Sequence, residues 1–65
     1  MNKHLVLFMA GNPNAITLAV EPEVAEDLGD RLVQIVRNGH TQTIAGTQGQ
    51  QYAVNFSHVV IAYFE

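Results

Sequence analysis

Two stretches of the chain, Leu5 to Ala10 and Val59 to Phe64, are unbroken apolar runs of six residues each. A strand sends successive side chains to opposite faces. Each run is therefore apolar front and back, and a fold containing it must cover both sides. In the first run Leu5, Leu7 and Met9 share one face, with Val6, Phe8 and Ala10 on the other. In the second, Val59, Ile61 and Tyr63 share one face, with Val60, Ala62 and Phe64 opposite.

The rest of the sequence offers one helix to do the covering. Glu21-Pro22-Glu23 reads as its start, because proline suits the first turn and acidic side chains suit the positive end of the helix dipole. Val24, Leu28, Leu32, Ile35 and Val36 repeat at helical spacing as an apolar stripe. Glu23, Glu26, Asp27, Asp30 and Gln34 form a wet face, where Asp27 and Arg31 stand four apart for an ion pair. Arg37 lies near the negative end, and Asn38-Gly39 reads as the stop. Gly29 sits in the middle, with close approach of a neighbour and simple tolerance as its two readings.

Around the helix the pattern predicts strands over His4 to Ala10, Ala15 to Val20, His40 to Ala45, Gln50 to Phe56 and Val59 to Phe64. Gly11-Asn12-Pro13-Asn14 and Gly46-Thr47-Gln48-Gly49 carry turn chemistry, and Asn55-Phe56-Ser57-His58 reads as a bend. The expected fold is α+β in the order ββαβββ. One helix packs on an antiparallel sheet in a single domain, residues 1–65. One helix roofs one face, so another copy of the chain is the simplest cover for the second, and a homo-oligomer is expected.

Composition points the same way. A domain of 65 residues buries only about 60% of its unfolded surface and usually needs a staple. With no cysteine the staple is not a disulfide or a thiolate metal site. The chain is 48% hydrophobic and 14% charged, against roughly 25% charged in an ordinary domain. So little charge on so small a body fits apolar surface shared between copies. The net charge of −3, with Lys3, Arg31 and Arg37 the only lysine and arginines, argues against a nucleic-acid partner and against attachment to anionic lipid. Leu5 to Ala10 is too short to span a bilayer and leads into Gly11-Asn12-Pro13-Asn14, not a cleavage pattern. A cytoplasmic location is the expectation.

A search for chemistry yields little. Ser57 and His58 are adjacent, and neighbours on a strand point apart, so they do not form a nucleophile–base pair. The carboxylates Glu23/Asp27 and Glu26/Asp30 lie on the wet helix face, where no cleft would perturb them. His4, His40 and His58 lack any tight ligand spacing. The glycines of Gly46 to Gly49 fit a hairpin turn, because no Lys-Ser/Thr and no helix follow them. No catalytic residue, metal or cofactor is assigned. Asn55, His58 and Tyr52 are the candidate ligand contacts, and Tyr52, Phe56, Tyr63 and Phe64 could stack on a base. The candidate interface residues are Val60, Ala62, Phe64, Val6 and Phe8.

The run Val54-Asn55-Phe56-Ser57-His58-Val59-Val60-Ile61-Ala62-Tyr63 closes a strand, an acidic-capped helix and three strands. In this it resembles short, uncharacterised actinobacterial and phage proteins, from Ile16 to Phe64. The resemblance implies the β-α-β-β-β order and carries no activity or site residue. The leading reading is a non-enzymatic, homo-oligomeric module that binds itself and another protein in a regulatory, inhibitory or assembly role. A small-ligand or nucleotide-binding protein with its pocket between subunits, and an oligomeric nucleic-acid-binding regulator, are the alternatives.

Overall fold

The computed structural model describes residues 3–65. In chain order they form β1 (Lys3–Met9), β2 (Ile16–Val20), α1 (Pro22–Asn38), β3 (Thr41–Ala45), β4 (Gln51–Asn55), a 3₁₀ turn (Phe56–His58) and β5 (Val59–Phe64). The fold is α+β, with one helix packed on antiparallel strands.

The turn chemistry acts where the sequence places it. Asn12 accepts the Asn14 N–H on its side-chain oxygen at 3.0 Å, which tightens the β1–β2 connection. Glu21 sits extended before Pro22, and its carbonyl accepts the Ala25 N–H. At the other end Gly39 takes φ 67°, ψ 26° and donates its N–H to the Ile35 carbonyl. A side chain there would meet two obstacles. The left-handed conformation disfavours a Cβ, and that Cβ would lie 3.3 Å from the Ser57 Cα. Asn55 accepts the Ser57 N–H at 3.0 Å, so the expected bend is a capped 3₁₀ turn.

The strands form two sheets, where the sequence suggested one. β2-β1-β5 is a three-stranded sheet, and β3–β4 is a separate two-stranded ribbon. A lone bridge, Val20 to Gly46, connects them. The reason lies in what the ribbon must bury. Ile44 is in the core, and Tyr52 and Val54 pack against it, so the ribbon folds over the sheet instead of extending it. β4 then borders Leu7, Met9, Ile16 and Leu18 of β1 and β2, while α1 contacts β5 and β1. Helix and ribbon thus share one side of the sheet.

Between these layers lies the core: Leu5, Leu7, Val20, Ala25, Leu28, Ile35, Ile44, Phe56 and Val59. Gly29 needs no special close approach, since a Cβ there would stand 3.9 Å from the Phe64 ring, an ordinary contact. No helix among the described residues is long and apolar enough to cross a membrane.

Candidate interaction surface

Register decides which side chains reach the far side of the sheet. Val6 pairs with Thr17 on one flank and with Tyr63 on the other, and Phe8 pairs with Ile61. Directly paired residues share a face. Val6, Phe8, Thr17, Ile61 and Tyr63 therefore stand together on the side away from α1 and the ribbon. Phe8 and Tyr63 stack with ring centroids 6.5 Å apart at 21°. Val6 is buried, yet it lies outside the main core cluster. Its same-face neighbours include these two rings and Thr17 of β2, so the far side holds a small, mainly apolar cluster of its own, with Ile61 55% exposed at its border.

The expected alternation of β5 breaks at a bulge. Ile61 pairs with Phe8, but Met9 pairs with Val59, which leaves Val60 as an extra residue. Val59 turns into the core in consequence. Ala62 and Phe64 lie opposite Leu7 and Leu5 and pack against the core on the helix side. The five residues expected to form one interface are thus divided. Val6 and Phe8 are on the far side, Ala62 and Phe64 are half-buried under α1, and Val60 is exposed at the edge. Ile61 and Tyr63, which strict alternation would have placed with Val59, hold the positions beside Val6 and Phe8.

β5 is also an edge strand. His4 and Glu65 exchange both backbone hydrogen bonds, at 3.2 and 2.9 Å. An antiparallel ladder alternates bonded and non-bonded pairs. The N–H and C=O of Ala62 and Phe64 therefore point away from β1, along a free edge. Val60, Ile61 and Ala62 of that edge border a groove whose other wall is Leu32, Val33 and Val36 of α1. Of the five large hydrophobic side chains exposed among the described residues, four (Val33, Val60, Ile61 and Tyr63) lie on β5 or on the helix flank beside it.

The candidate ligand residues do not converge. Tyr52 and Asn55 border the groove of about 250 Å³ between β4 and the β1–β2 pair, whereas His58 does not. One acceptor of each is already used: the Tyr52 hydroxyl accepts from Gln50 Nε2 at 2.9 Å, and the Asn55 oxygen caps the 3₁₀ turn. Phe56 is fully buried and offers no stacking surface, and Phe64 is half-buried. His4, His40 and His58 are all exposed. Among the described residues no three His, Asp or Glu side chains cluster as metal ligands would. A polar groove beside α1 is lined by Arg31, Gln34, Asn38, His40 and Gln42, but Arg31 is held by Asp27 at 2.8 Å. No family model, curated protein or solved structure matches the chain.

The sequence pattern points to neither Ile61 nor Val33 as a surface residue, and to Tyr63 only as a stacking ring, not as part of the interface. The bulge hid Ile61 and Tyr63, because strict alternation carries no sign of it. Val33 had a signal: it is the one large apolar residue of the helix outside the predicted stripe.

Proposed function

We propose that the chain is a non-enzymatic protein-interaction module that works as a homo-oligomer, with the sheet side away from α1 and the β5 edge as its contact surfaces. One observation carries the reading. An apolar cluster of Val6, Phe8, Ile61 and Tyr63 stands on the side of the sheet away from both packing elements. Its neighbour is an edge strand whose six residues carry no charge and no proline. Natural sheets usually blunt such edges with lysine, proline or a covering element. An edge left this apolar is suited to pairing with another strand. Low overall charge supports the same reading, because a monomer of this size has ample surface on which to display it.

Oligomerisation would leave part of the far side available to a second protein, in a regulatory, inhibitory or assembly role. Self-association coupled to folding makes thermal stability depend on protein concentration. The expected result is a melting temperature that rises as concentration is raised from the low micromolar to the millimolar range. Tyr63→Lys, which places a charge in the cluster, should reduce that rise. A melting temperature that is independent of concentration would contradict the reading.

A further inference from the structure

We propose that two copies join through their β5 strands, antiparallel and about a two-fold axis at Ala62, to make one six-stranded sheet. This rests on the self-association reading and specifies its geometry. α1 and β5 are aligned at two points. A Cβ on Gly29 would touch the Phe64 ring, and one on Gly39 would touch Ser57. The helix therefore runs antiparallel to β5 along the groove. Helices rise about 1.5 Å per residue and strands about 3.3 Å. Four residues along α1 from Gly29 match about two residues back along β5 from Phe64, which sets Val33 beside the Val60–Ala62 stretch. Both border the groove, and Val33 is 74% exposed.

Glu26, Asp30, Val33 and Arg37 are spaced four, three and four apart, which puts them in one row on the helix surface. Because Val33 borders the groove, that row flanks the free edge. It is acidic at one end, apolar at the centre and basic at the other. Asp30 lies about 4.5 Å along the axis on one side of Val33, and Arg37 about 6 Å on the other. Among the described residues neither is in an ion pair. A two-fold axis at Ala62, beside Val33, sets Arg37 of each copy against Asp30 of the other. A parallel arrangement would set like charge against like. The row is thus complementary to itself in the antiparallel sense only.

The strand agrees with the row. With the axis at Ala62, the outward N–H and C=O of Ala62 in each copy bond to each other. Tyr63 falls opposite Ile61 of the second copy, an aromatic–β-branched pair on the far side. Phe64 falls opposite Val60, whose side chain is 60% exposed in the single chain. Val33 meets Val33 across the axis, so all four exposed side chains around β5 gain cover.

Two sets of variants test this by sedimentation equilibrium. Ala62→Pro removes an edge N–H that β1 does not use, and proline is tolerated on edges. It should weaken the dimer at least about tenfold with the circular dichroism spectrum retained. Asp30→Arg and Arg37→Glu should each weaken it by about threefold to tenfold, and the double variant should return to within about threefold of the original chain. Residues 30 and 37 are two turns apart and do not touch within one chain, so such rescue arises only between copies. A dimer indifferent to Ala62→Pro, or a double variant no tighter than the singles, would overturn this geometry while leaving self-association standing. A chain that is monomeric throughout would overturn the reading beneath it.

Discussion

Tyr63 and Phe8, on neighbouring strands, stack their rings 6.5 Å apart on the side of the sheet away from the helix and the ribbon. Offset aromatic pairs contribute about 0.5–1.5 kcal/mol beyond the area they bury. A double-mutant cycle on Phe8→Ala and Tyr63→Ala, read by urea denaturation, should return a coupling energy in that range. Coupling near zero would mean that the rings do not form a cluster with Val6.

Gly29 is the clearest opportunity for stabilisation. It occupies the middle of α1, where alanine is favoured over glycine by about 1 kcal/mol. The added methyl has room beside Phe64. Gly29→Ala should raise the melting temperature by about 4–8 °C, the shift about 1 kcal/mol gives in a domain of this size. A lower melting temperature would show that the helix and β5 pack more closely than the structure indicates.

Gly39 should behave in the opposite way. Gly39→Ala places a Cβ in the left-handed region, at about 1–2 kcal/mol, and sets it 3.3 Å from Ser57 Cα. Destabilisation of at least that size is expected in thermal or urea unfolding. A neutral result would remove the close approach of the helix end to the 3₁₀ turn, and with it one of the two points that align α1 with β5.

The Asp27–Arg31 pair should matter little. Its side chains are 72% and 52% exposed, and exposed pairs of this spacing contribute about 0.3–0.5 kcal/mol and are screened by salt. Asp27→Ala should cost no more than that at low ionic strength and less at high. A larger loss would give the pair a role beyond the helix surface.

The features legible in the sequence were those fixed by local chemistry. Pro22, Gly39 and the apolar stripe set the helix, and the turn clusters set the strand order, because each acts within a few residues. What was not legible depended on competition between distant segments. Ile44 and Phe56 give the β3–β4 ribbon and the turn after it a reason to fold over the sheet, but only once β1 and β2 exist to receive them. The bulge at Val60 follows from fitting β5 against β1 while Val59 enters the core, and a strict two-residue period cannot express it. The candidate surface was legible as a need, in that a face would be left uncovered. Its residues were not, because one inserted position exchanged the faces of Ile61 and Ala62.

Cover by a second copy is expected because, in a single chain, Ile61 and Tyr63 are exposed, Phe8 is only half-buried and β5 is an unpaired edge. The most direct test is the mass of the purified chain in solution, by sedimentation equilibrium from low micromolar concentration upward. The account expects a species of at least twice the 7.1 kDa of one chain, with a discrete limiting mass. A well-behaved 7.1 kDa monomer across that range would contradict it.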